Sequence, residues 1–138
     1  MDRSDPQILA EARVADAEAL LRAGCWAAAY YLLGYAVECG LKACAAKQFR
    51  EHEVPDKKTV NDFYTHRLER LLDISGAKKA LETQVRADPS FQVNWSTVCG
   101  WEETSRYDHS TTEQKARDML FAVADSSTGV LSWLKTQW

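Results

Sequence analysis

Between Cys25 and Phe49 the chain reads CWAAAYYLLGYAVECGLKACAAKQF, 25 residues that are apolar on almost every side of a would-be helix. Only Glu38 and Lys42 interrupt its body. The stretch has no proline and is rich in Ala and Leu, so it predicts one helix of roughly 37 Å. A helix that is apolar all round is surrounded by other helices. The run without charge ends at Val37 after 13 residues, whereas a membrane span needs about 20. In a bilayer Glu38 and Lys42 would also lie in lipid, at high cost. The stretch therefore predicts the central helix of a bundle with no place in a membrane, and Gly34 and Gly40 within it predict close approach by neighbours.

The flanking sequence supplies those neighbours. Ser4 or Asp5 followed by Pro6 is a helix start, because the side-chain oxygen caps free amides and proline needs no donor in a first turn. The predicted first helix runs to about Ala23, burying Ile8, Leu9, Ala12, Ala15, Ala19, Leu20 and Leu21 at the 3.6-residue period. Gly24 closes it, and the short join makes an antiparallel hairpin with the central helix. Residues 50–65 are polar and read as a surface loop. A short amphipathic helix starts near His66, buries Leu68, Leu71, Leu72 and Ile74, and stops at Gly76. Another covers Ala77 to Ala87 and ends at Asp88-Pro89. A further short helix is expected around Asn94–Glu103, followed by a loop. Thr111 or Thr112 caps the last long helix, which breaks at 125–129 (DSSTG) before a terminal VLSWLKTQW segment. No strand-period alternation and no internal repeat is present. The sum is a single all-α domain over 1–138, an antiparallel bundle of four or five helices with a long buried helix at its centre.

Composition removes several function classes. With 138 residues the chain buries about two thirds of its unfolded surface and needs no covalent staples. Its four cysteines, Cys25, Cys39, Cys44 and Cys99, have no CxxC spacing and predict neither zinc nor disulfides. Together with an acidic amino terminus unlike a signal peptide, they predict a cytoplasmic protein. A formal charge of −3 gives no global basic field, so nucleic-acid binding requires a local patch or a small ligand. Glycine-rich phosphate loops, GxSxG and HExxH are absent from the sequence. No metal site and no cofactor is expected.

Two constellations carry chemistry. Glu38 and Lys42, four residues apart on an otherwise apolar helix, form either a structural ion pair at the bundle edge or part of a polar pocket. Arg106 and His109, flanking Tyr107 and Asp108, suit RNA cleavage: histidine moves a proton near neutral pH, and arginine holds a phosphate by two prongs. The plainer alternative is a loop in which Arg106 pairs with Glu102, Glu103 or Asp108. His66, at the start of its short helix, reads as a neutral cap or packing residue, with a ligand role as the alternative. Tyr30, Tyr31 and Tyr35 read as core, and Trp95, Trp101, Trp133 and Trp138 as anchors of a core or dimer face.

The phrases CWAAAYYLLGYAVECGLKA, YTHRLERLLDISG, WEETSRY and GVLSWLKTQW together resemble the HEPN domain proteins, over roughly Ala17 to Trp138. That resemblance implies an all-α domain, often a homodimer, that binds RNA or a nucleotide. It further implies a metal-independent ribonuclease toxin partnered by a small nucleotidyltransferase antitoxin. The family's ribonucleases carry arginine, four to six residues, then histidine. Here none of His52, His66 and His109 has that spacing, and Arg106 and His109 are separated by two residues only. The residue reading and the resemblance together make Arg106 and His109 the candidate catalytic pair and Glu38, Lys42, Tyr107 and His66 the candidate ligand-binding set. The departure in spacing keeps a second expectation open, a non-catalytic nucleotide-binding or protein-interaction module.

Overall fold

The computed structural model describes residues 4–49 and 56–138, and among these residues the chain is all-α, with eight α-helices, two 3₁₀ turns and no strand. The apolar stretch forms α2 (Trp26–Gln48), of which residues 36–41 are buried without interruption. Helices α1 (Ser4–Arg22), α4 (Leu68–Ser75), α7 (Glu113–Ala124) and α8 (Val130–Leu134) all pack against it. Such a surround is what a helix lacking a polar face requires. No helix of the described residues is long and apolar enough to cross a membrane.

Helix α1 folds back on α2 through Gly24, whose φ of 79° is the left-handed conformation that favours glycine. Its buried stripe is Ala10, Ala17 and Leu21, with Leu9 and Leu20 half-buried, while Ile8 is 64% exposed and Ala15 and Ala19 face solvent. The face is thus rotated from the one the sequence predicts. Several alanines at helical spacing allow either choice, because a methyl group gives little hydrophobic direction. Gly76, also at φ 79°, ends α4 at the predicted place.

Three further segments differ from expectation. Lys57–Phe63 within the expected surface loop is helix α3, anchored by buried Phe63; residues 50–55, with His52, lie outside the described residues. After α5 (Lys78–Ala87), the pair Asp88-Pro89 starts α6 (Pro89–Cys99) at once. The Asp88 carboxylate accepts from the amides of Ser90 and Phe91 at 3.0 and 3.2 Å, and Pro89 occupies the first turn. The expected Asn94–Glu103 helix therefore begins earlier and ends at Cys99. Beyond it, Glu103–Tyr107 is a 3₁₀ turn, where a plain loop is predicted.

Helix α7 begins as read, with the Thr112 hydroxyl accepting from the Lys115 amide at 3.1 Å. The break at 125–129 is a tight turn: Asp125 accepts from the Thr128 amide and hydroxyl at 2.8 and 2.9 Å. Buried Asn94 ties that turn to α6 by donating to the Thr128 carbonyl at 2.9 Å. Helix α8 then lies over Gly40, where an added Cβ would stand 2.8 Å from Leu131 and 3.3 Å from Leu134.

Candidate functional site

The site grows from the one carboxylate that the fold buries in its central helix. Glu38 is 1% exposed in the middle of α2, and an uncompensated charge there is costly. Two groups compensate it. Nδ1 of His66 lies 2.8 Å from Oε1, and Nζ of Lys42 lies 3.5 Å from Oε2. Lys42 also stands 5.7 Å from the centre of the Phe63 ring, so α3 covers its flank.

His66 arrives on the four-residue link between α3 and α4. There the Thr65 hydroxyl accepts from the Arg67 amide at 3.2 Å, and Arg67, not His66, occupies the cap position of α4. The reading of His66 as a helix cap is thereby corrected: its ring is turned towards α2, because the Glu38 carboxylate outcompetes the free amides of α4 for a hydrogen-bond partner. A charged acceptor makes the stronger bond. With Nδ1 engaged, Nε2 is the nitrogen left for other partners.

The second wall is the segment from Trp101 to Tyr107. Trp101 is 4% exposed and its indole lies directly over Gly34. A Cβ at position 34 would stand 2.2 Å from that ring, so only glycine admits it. Tyr31 packs beside the indole at 6.1 Å between ring centres. Trp101 thus pins the chain just before the 3₁₀ turn, and the turn presents Glu103 and Arg106. Oε1 of Glu103 is 3.8 Å from His66 Nε2 and 3.4 Å from Arg106 Nη1. The Arg106 guanidinium lies 4.8 Å over the exposed Tyr107 ring. Tyr107, and then Tyr31, hold its pKa above the ordinary arginine value.

Between the two walls is a cleft of about 390 Å³, lined by His66, Arg67, Glu69, Trp101, Glu102 and Glu103 among others. A larger open groove of about 880 Å³ runs between α6 and α7 past Tyr30, Lys115, Asp118 and Phe121. Among the described residues it is lined by neither a histidine nor any residue of the predicted site. The chemically equipped surface is the smaller one.

Of the residues singled out from sequence, Glu38, Lys42, His66 and Arg106 join one polar chain, with Tyr107 against Arg106. The predicted catalytic pair is not assembled. His109 is exposed and shares no hydrogen bond or ion pair with Arg106, which is directed to Glu103 instead. Asp108 between them accepts from the hydroxyl and amide of Ser110 at 2.6 and 2.8 Å, and these contacts lower its pKa. Local turn formation takes the short Arg106-to-His109 spacing away from a shared helix face. Glu103 enters this site as a full member, although sequence reasoning treats it only as one possible partner of Arg106.

Burial pushes the Cys39 thiol, next to Glu38, up to about 11, with Glu38 contributing. It remains a neutral apolar group. Among the described residues no cluster of three or more His, Cys, Asp or Glu side chains could hold a metal ion. No protein-family model, no curated protein and no solved structure matches the chain.

Proposed function

We propose that the chain is a HEPN-type domain that binds RNA or a nucleotide in the cleft beside His66. In this reading Arg106 holds a phosphate, and His66, oriented by Glu38, transfers the proton in a metal-independent cleavage of RNA. The observation that carries the reading is the 2.8 Å contact between Nδ1 of His66 and buried Glu38. A carboxylate in that position orients an imidazole and stabilises the imidazolium that forms when Nε2 accepts a proton. Nε2 takes the proton of a ribose 2′-hydroxyl and the 2′-oxygen attacks phosphorus. The bond to the 5′-oxygen breaks, the departing oxygen takes up a proton from water, leaving a 2′,3′-cyclic phosphate, and the His66 imidazolium returns its proton to solvent. Arg106 is suited to the charge that grows on the phosphate oxygens. The resemblance adds a homodimer and a nucleotidyltransferase partner to the same proposal.

A second reading, binding without cleavage, is favoured by one observation: among the described residues His66 is the one histidine that lines the cleft, and His109 does not. One experiment separates the two. Mixed RNA is incubated in EDTA with the wild-type chain, His66→Ala and His109→Ala. Cleavage that survives His109→Ala and falls by about 10²-fold or more in His66→Ala supports the ribonuclease. Absence of cleavage by folded wild-type protein, with labelled nucleotide retained and lost in Arg106→Ala, supports the binding module. Equal cleavage by all three proteins overturns the role given to His66.

A further inference from the structure

At the edge of the cleft one oxygen atom, Oε1 of the lining residue Glu103, stands against both groups that a phosphate would need. It lies 3.8 Å from Nε2 of His66 and 3.4 Å from Nη1 of Arg106. Both are loose ion-pair distances, at or beyond the outer limit of a good hydrogen bond. The other nitrogen of His66 is held by Glu38, so among the described residues the partner of Nε2 is Glu103. Glu103 is 31% exposed and is the first residue of the 3₁₀ turn. The turn is closed by backbone bonds, Ser105 amide to Glu102 carbonyl at 2.9 Å and Asp108 amide to Ser105 carbonyl at 3.0 Å. Rotation of the Glu103 side chain breaks neither of them.

We propose that the space between His66 Nε2 and Arg106 Nη1 is a subsite for one anionic phosphate oxygen, and that Glu103 occupies it as an internal substitute until a ligand displaces it. The inference rests on the proposed function in taking the cleft as the ligand site, and it adds both the seat of the phosphate and a brake upon it. The chemistry of exchange is simple. A phosphate oxygen is also a compact anionic acceptor, and a phosphate group offers a second oxygen to the guanidinium fork, where Glu103 contributes one at 3.4 Å. Glu103 competes from within the same chain, and the ligand must overcome that local concentration. Glu102 provides the comparison: it lines the same cleft and bears the same charge, yet it contacts neither His66 nor Arg106.

The test is binding of a fluorescein-labelled single-stranded RNA, by fluorescence anisotropy, to wild type, Glu103→Gln and Glu102→Gln. In parallel, inorganic phosphate is titrated while the His66 ring is followed by NMR. The subsite predicts RNA binding about fivefold tighter in Glu103→Gln, with less than half that gain in Glu102→Gln, the share due to net charge alone. The His66 ring signals then respond to phosphate at correspondingly lower concentration in Glu103→Gln. Equal gains in the two variants, or weaker binding in Glu103→Gln, overturn the inference. If no protein binds RNA but the His66 response to phosphate still sharpens in Glu103→Gln, the subsite stands and the RNA reading falls. A His66 ring indifferent to phosphate in every protein removes the subsite itself.

Discussion

At the residue scale the governing fact is that Glu38 is buried while its partners are not. Glu38 is 1% exposed and His66 is 45% exposed, so the two are unequal members of the pair. With the charge on Glu38 removed, the polar groups of His66 and Lys42 still reach water. Removing His66 leaves a carboxylate inside the bundle with only Lys42, 3.5 Å from its second oxygen. Breaking such a pair from the exposed side is the more damaging change, because the desolvated charge remains. We therefore expect His66→Ala to cost about 2 kcal/mol and Glu38→Gln less than about 1 kcal/mol. The double variant Glu38→Gln/His66→Ala should be more stable than His66→Ala alone. Urea denaturation at neutral pH measures all three; a His66→Ala cost no larger than that of Glu38→Gln would show that the pair does not govern local stability. The same asymmetry is why part of the site can be read in the sequence. A lone glutamate on an apolar helix demands a partner, but nothing in the local sequence says that the partner is a histidine 28 residues away.

At the element scale, the join between α2 and the Trp101–Tyr107 segment determines whether the cleft exists. Gly34 is the point of contact: the indole of Trp101 fills the space where a side chain would begin, and the nearest ring atoms would be 2.2 Å from a new Cβ. The ring is fully packed and cannot swing away freely. Gly34→Ala should therefore destabilise the fold by about 2–3 kcal/mol, despite the gain in helix propensity that alanine normally brings. It should also displace Glu103 and Arg106, visible as a change in Trp101 fluorescence together with loss of nucleotide or RNA binding. A stabilised Gly34→Ala protein with unaltered fluorescence would rule out this packing. Legibility in the sequence follows the same elements. The central helix, the Gly24 hairpin, the Gly76 stop and the Thr112 cap are all readable, because each depends on residues within one or two turns. Asp88-Pro89 carries two meanings, a stop for α5 and a start for α6, and the structure uses both, whereas α1 begins at Ser4 and so takes Asp5 and Pro6 into its first turn. Helix α3 is hard to read because its residues are mostly polar, and Phe63 at its end is the side chain seen buried among those described. The rotated face of α1 was hidden because alanines of nearly equal hydrophobicity occupy both candidate stripes.

At the scale of the whole molecule, the bundle sorts its side chains by distance from α2, and the four cysteines sample that gradient. Cys25 is exposed at the α1–α2 join, Cys39 and Cys44 are buried in α2, and Cys99 is half-buried at the end of α6. Burial is the largest cause that pushes the Cys39, Cys44 and Cys99 thiols up to about 11 from an ordinary 9.0. The thiolate is the nucleophile, so access and ionisation oppose reaction at all three sites together. At pH 8 the native protein should release one equivalent of chromophore from a disulfide reagent rapidly, and the other three only as fast as the chain opens. In denaturant all four should react at once. The same shifts give stability a sign in alkali. A thiol whose pKa is raised by folding contributes fully below its unfolded value near 9 and loses that contribution as pH rises towards 11. Tyr30 and Tyr35 are raised from 10.0, chiefly by burial, and act in the same direction. The urea midpoint is thus expected to fall as pH rises above 9. Two or more fast thiols in the native state at pH 8 would mean that α2 or α6 is open to solvent, and the bundle around Glu38 would then lack the dry environment on which its pairing with His66 depends.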